Sequence, residues 1–132
     1  MTVATEDMRV KLSTLWIVVI FALLAADVLS LYIPGAREEM AEFAGDTPIP
    51  LLMLAGAILM AIPIVMIFLS RVLERRVNRW ANIIAAVITI LYVTAGGSTY
   101  PHYIFLAAIE VMSMLLIIWY AWRWSQPENA LP

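Results

Sequence analysis

The chain of 132 residues contains no cysteine and a single histidine, His102. Disulfides, thiolate metal sites and thiol nucleophiles are therefore excluded. A multi-histidine metal site within one chain is excluded as well, and neither a metal nor a cofactor is expected. Charge is also scarce. Charged residues make up 14% of the chain, against about 25% in an average soluble domain. The net charge of -2 is too small to point to nucleic acid or to an acidic partner. What fills the space is apolar, 64% of all residues. A body this small has too much surface for its volume to bury such an excess. Lipid is the solvent that accommodates it, and the length suffices for one domain.

Four apolar segments, at about 12–33, 49–69, 78–95 and 101–122, are long enough to cross a bilayer, which takes about 20 helical residues. They must be helices, because an open strand edge cannot be hydrogen-bonded in hydrocarbon. The predicted fold is all-α, a single domain of four transmembrane helices. Pro34-Gly35 ends the first segment and Gly96-Gly97 the third, through the proline block and the glycine turn. Pro48 and Pro50 open the second, where a missing N–H costs least. Ser98 or Thr99 is expected to cap the fourth. Pro63 falls mid-span and predicts a packing kink. The pairs Ala22/Ala26, Ala57/Ala61 and Ala81/Ala85 allow close helix approach and are expected to pack inside the bundle.

Orientation follows the distribution of Lys and Arg. The link 70–77 with its flank holds Arg71, Arg75, Arg76 and Arg79; the tails add Arg9, Lys11 and Arg123. The link 34–48 holds Arg37 among Glu38, Glu39, Glu42 and Asp46, and is expected to form a short surface helix around Arg37 to Phe43. Both termini and the arginine link are thus expected in the cytoplasm, and the acidic loop outside, in a multi-pass protein of the bacterial inner (plasma) membrane. The arginines are expected to touch anionic headgroups. All five tryptophans (Trp16, Trp80, Trp119, Trp122 and Trp124) fall near the basic ends of the segments, as half-wet interfacial rings do. A rival reading takes 9–26 as a signal peptide with Ala25-Ala26 near its end, but the apolar run continues past Asp27. The segment 125–132 reads as a solvent-facing tail.

Two carboxylates stand inside the apolar segments. Asp27 lies about six residues before the outer end of the first segment and Glu110 about nine residues into the fourth, both in the outer half by helical rise. Each costs ~2.5–3.5 kcal/mol at mid-membrane unless it is paired or protonated. By spacing, Tyr103, Glu110 and Ser113 share one face, Asp27 shares another with Ser30, and Thr89 and Tyr92 lie at matching depth. No Lys or Arg occupies this layer, so a proton, a cation or neighbouring hydroxyls must neutralise the acids. Two readings fit the sequence equally: a site for a proton, small cation or cationic amphiphile, or protonated carboxyls acting as interhelical glue at ~0.6 kcal/mol per bond. Asn82 is expected to bond across helices or to cap the arginine link, and His102 to be an ordinary interfacial histidine.

Several strings read together resemble a known family. They are Lys11 to Trp16 (KLSTLW), Asp27 to Leu31 (DVLSL), Gly56 to Ile64, Leu69 to Leu73, Asn78 to Ile84 (NRWANII), Tyr103 to Phe105 with Glu110, and Trp119 to Trp122. The chain resembles an uncharacterised family of small bacterial four-helix membrane proteins, a domain of unknown function. The resemblance implies a one-domain membrane protein and brings no activity. Small multidrug transporters are similar in size and crossings, but their essential glutamate lies in the first helix, where this chain has Asp27. That likeness implies a homo-oligomer. The competing class is a structural or accessory subunit docking an unidentified membrane partner through the arginine link or acidic loop. A lipid-acting enzyme with the two carboxyls as acid and base ranks last, because no nucleophile–base pair or phosphate loop is present.

Overall fold

The computed structural model describes residues 3–124, so the segment 125–132 lies outside the described residues. Five helices follow one another: α1 (Val3–Ser30), α2 (Ala36–Ala44), α3 (Ile49–Val72), α4 (Arg75–Ala95) and α5 (Pro101–Arg123). α1, α3, α4 and α5 are each long and apolar enough to cross a membrane, the construction of a multi-pass membrane protein. They form a closed ring in which α1 packs on α3 and α5, and α4 packs on the same two helices. The short α2 lies at the end where α1 finishes and α5 begins, called here the acidic end. The opposite end, which carries Arg71, Arg75, Arg76 and Arg79, is the basic end.

Helix boundaries differ from the hydropathy reading in instructive places. α1 begins at Val3 rather than near residue 12, because its first turns pack on the bundle: Thr5, Leu12 and Ser13 are buried, and Arg9 Nη2 donates to Leu73 O at 2.7 Å. It ends at Ser30 rather than 33, where tight backbone bonds from Leu31, Tyr32 and Ile33 to residues three back unwind it ahead of Pro34-Gly35. Gly35 takes φ 85°, the left-handed conformation that only glycine adopts freely. The arginine link is nearly all helix, since only Leu73 and Glu74 separate α3 from α4. The cap of α5 is not a side chain: Tyr100 occupies that position, and Ser98 Oγ only accepts from Tyr100 N at 3.3 Å. α3 continues through Pro63, which is buried.

Packing is uneven along the bundle. The inward stripe of α4 is Asn78, Asn82, Ala85, Ala86, Thr89 and Val93, and that of α5 is Glu110, Ser113, Met114, Ile117 and Ala121, the i, i+3, i+4 pattern of a buried helix face. In α3 the buried residues are Pro63, Met66 and Ser70, all in its second half. In α5 none precedes Glu110. The bundle is therefore close-packed toward the basic end and loose toward the acidic end. Of the small-residue pairs, Ala22 and Ala26 are buried, Ala85 is buried beside half-exposed Ala81, and Ala57 is exposed instead of packing inside. Phe21, Leu54, Phe68, Leu91, Phe105 and Met112 point outward, an apolar surface suited to lipid.

A buried polar network fastens the basic half. Trp16 Nε1 donates to Asn82 Oδ1 at 2.7 Å, and Ser70 Oγ donates to the same oxygen at 3.2 Å. Asn82 Nδ2 donates to Asn78 O at 2.8 Å and Asn78 Oδ1 at 2.6 Å. Asn78 Nδ2 in turn donates to Ser70 O at 2.8 Å and Leu73 O at 3.2 Å. Asn82 thereby uses both its donors and its acceptor to tie α1, α3 and α4 together, as its place one turn inside the third segment predicts. Trp16 is the correction. It is 0% exposed, a core residue rather than an interfacial ring, because Asn82 supplies its N–H with a partner. Trp124 is buried too, whereas Trp80, Trp119 and Trp122 lie at the surface.

Replacing Asn82 by Ala removes the partner of the Trp16 N–H, the Ser70 hydroxyl and the Asn78 side-chain oxygen in a buried network. A loss of about 1–3 kcal/mol is expected, read as unfolding at a lower mole fraction of denaturing detergent in mixed micelles. Truncating exposed Ile84 to Ala in the same assay is expected to shift stability by less than about 0.5 kcal/mol.

Candidate functional site in the acidic half

The contact between Ser30 and His102 sets a common depth. Ser30 Oγ donates to Ala26 O at 2.7 Å and lies 3.0 Å from His102 Nε2. Ser30 is the last residue of α1 and His102 the second of α5. From that level, Asp27 is three residues down α1, about 4.5 Å, and Glu110 is eight residues down α5, about 12 Å. The α-carbons of the two acids thus differ in depth by about 7.5 Å, roughly one and a half helical turns. The earlier end of α1 is the reason, since it brings Asp27 closer to the mouth.

Their surroundings differ as much as their depths. Asp27 is exposed at the edge of the α1 stripe, next to buried Ala26 and Leu23. Glu110 is 2% exposed, and its Oε1 is buried with no hydrogen-bond partner among the described residues, Asp27 included. A buried carboxyl left unbonded is costly as an anion. The Asp27 charge nevertheless acts on Glu110, and both acids act on the phenols of Tyr92 and Tyr103, so these four groups lie within electrostatic reach of one another.

The hydroxyls expected near the acids mostly have other partners. Tyr103 Oη donates to Val93 O at 3.3 Å, Thr89 Oγ1 to Ala85 O at 2.8 Å, and Ser30 to Ala26 as above. Thr89 and Ser113 are buried on the stripes that carry the interior. Tyr92 is half-buried near the end of α4. The arrangement has two tiers, with Asp27, Tyr92, Tyr103, Ser30 and His102 near the mouth and Glu110, Thr89 and Ser113 beneath. Below Glu110 the core becomes apolar, with Val19, Met66, Ala85, Met114 and Ile117 buried, until the Asn82 network. An apolar recess of about 280 Å³ on the flank of α3, lined by Ala61, Ile62, Val65 and Met66, includes neither carboxyl. Among the described residues no group of three His, Asp or Glu side chains is placed to hold a metal ion.

The model of a family described as a family of unknown function (DUF6326) matches residues 3–131. The chain belongs to that family. The resemblance read from its strings is therefore correct, and family membership supplies no activity. No curated protein and no solved structure matches the chain.

The mouth is latched by contacts that the sequence did not suggest. Tyr100 Oη donates to Glu39 Oε1 at 2.8 Å, tying α2 to the start of α5. The Tyr100 and His102 rings stack at 6.2 Å. Glu39 stands in a loop of like charges and Tyr100 beyond the apolar run, and neither position carries a spacing signal that pairs them. The hydrogen bond to Glu39, then desolvation, then the Glu39 charge push the Tyr100 phenol above its ordinary range. A raised phenol favours the neutral donor, so the latch holds at neutral pH and is lost as pH rises through the raised value. Glu39→Gln is expected to bring Tyr100 ionisation back toward the ordinary range, read by ultraviolet absorbance titration with Tyr100→Phe as the reference.

Proposed function

We propose that this protein reversibly binds a proton, or a small cation in its place, at Glu110, with Asp27 as the acceptor at the mouth. The observation that carries the reading is the Glu110 carboxyl, enclosed and with its Oε1 unbonded, at the base of the loosely packed half of the bundle. An exposed carboxyl above a buried one is a graded path: Asp27 collects a cation from the wet end, and Glu110 holds it where water is excluded. Tyr92 and Tyr103, half-buried at the same end of the bundle as Asp27, supply polar surface beside it. The enclosure of Glu110 favours the proton, the smallest candidate, over a cationic amphiphile. The apolar layer beneath it requires a rearrangement, or a second copy of the chain, before any ion passes through.

The same reading places the basic end in the cytoplasm of the inner membrane, on the strength of Arg71, Arg75, Arg76 and Arg79 at one end and the acidic α2 at the other. Exchange at Glu110 then takes place with the outer side. The accessory-subunit reading draws on a different observation, the Asn82 network, whose amides are bonded to each other and to Trp16 and Ser70. On that reading Glu110 is a permanently protonated filler, and the mutual engagement of Trp16, Ser70, Asn78 and Asn82 is purely structural.

Hydrophobic carbodiimide reacts with protonated carboxyls in lipid and distinguishes the two. With the protein in vesicles, mass spectrometry is expected to map an adduct to Glu110. Its yield is expected to fall as the pH is raised, because the reactive protonated acid disappears, and to fall at fixed pH in the presence of a bound cation. Asp27→Asn is expected to slow that response, and Glu110→Gln to remove the adduct. A Glu110 adduct that is insensitive to pH, to cations and to Asp27 would leave only the filler role.

A further inference from the structure

A second site lies at the basic end, in the groove between α4 and α5. Arg79 spans it. Its Nε donates to Ala121 O and its Nη2 to Trp122 O, each at 3.0 Å, which caps the last carbonyls of α5 with a cation, as the helix dipole favours. Arg75 Nη1 does the same for Trp124 O at 3.0 Å. These two arginines were expected to face headgroups, and in the structure they also cap the end of α5. The Arg79 guanidinium also lies 5.6 Å from the Trp80 ring and 5.4 Å from the Trp122 ring, and the two indoles meet edge to face at 6.3 Å. Trp80 is 47% exposed and Trp122 60% exposed. One turn before Trp80 on α4, Arg76 is exposed and has no carboxylate partner among the described residues. From Ser70 to Trp80 the chain holds four arginines against one acid, Glu74.

We propose that this groove binds the headgroup of an anionic phospholipid. Arg76 meets the phosphate, the charge of Arg79 reinforces it from below, and the Trp80 and Trp122 rings flank the glycerol backbone and upper acyl chain. Three features select a lipid over a soluble phosphate or an acidic protein segment. The cations are unneutralised, the flanking surface is aromatic with one polar N–H per ring, and the groove continues into the exposed apolar faces of α4 and α5 at Ile84 and Leu115. A phosphate alone would leave the indoles unused. Arg71 is also exposed but stands on α3, which borders α4 on the side away from α5, and lies outside the site.

The test uses the full chain in vesicles that contain either brominated phosphatidylglycerol or brominated phosphatidylcholine at equal mole fraction, with tryptophan quenching as the readout. The wild type is expected to prefer phosphatidylglycerol. Arg76→Gln, which removes an exposed side chain and leaves the Arg79 caps intact, is expected to lower that preference about five-fold, the weight of one cationic residue near an anionic surface. Arg71→Gln is expected to leave it unchanged. Adding soluble glycerol phosphate at constant ionic strength is expected to leave the quenching unaltered. Equal quenching by the two lipids in the wild type would overturn the proposal. So would equal losses in Arg76→Gln and Arg71→Gln, which would indicate a diffuse basic surface, or competition by glycerol phosphate, which would make the ligand a soluble phosphate.

Discussion

The side-chain amide of Asn82 is the point on which the bundle depends. In lipid no hydrophobic force draws one apolar helix to another, so association rests on close packing and on interhelical hydrogen bonds. Asn82 receives Trp16 from α1 and Ser70 from α3 and returns its own protons to Asn78. Three of the four spanning helices are thereby joined at one depth. Arg75 and Arg79 bring in the fourth through the last carbonyls of α5. No comparable knot exists toward the acidic end, where α3 has no buried residue before Pro63. The looseness of that half follows from where the amide and hydroxyl groups were spent.

This asymmetry sets the character of the two carboxyls. Glu110 sits where close packing begins, and Asp27 sits above it at the exposed edge of α1. They differ in kind rather than forming a symmetric pair: Asp27 is exposed, Glu110 is enclosed, and Glu110 feels the Asp27 charge. Such an arrangement suits stepwise exchange better than a shared proton between two adjacent acids. Ser30 with His102 and Glu39 with Tyr100 join the elements at the same end of the bundle as Asp27.

Much of the architecture was legible in the amino-acid string because lipid imposes a simple rule of length and apolarity on each span. Glu110 and Asp27 were legible for the same reason, as charges where none belong. The ends of α1 differ from the apolar stretch because hydropathy does not measure the helix, which continues back through Ser13 and Arg9, bonded to Ile67 O of α3 and to Leu73 O at its end. Trp16 read as an interfacial ring, since its position in the string is the same whether the indole meets water or an amide. The signal for its partner was present: Asn78 and Asn82 stand four apart on the stripe that continues through Ala85, Thr89 and Val93, and two amides on a buried face require partners. The capping role of Arg75 and Arg79 had no such signal, because it depends on how α5 ends beside α4.

The most direct measurement is the infrared carboxyl spectrum of the protein in lipid as the bulk pH is changed, taken as the difference between wild type and Glu110→Gln. The account predicts a protonated-carboxyl band, absent from the variant, that diminishes reversibly as pH rises and whose response is slowed in Asp27→Asn. A Glu110 band that persists unchanged across the whole pH range in which the bundle stays folded would contradict it.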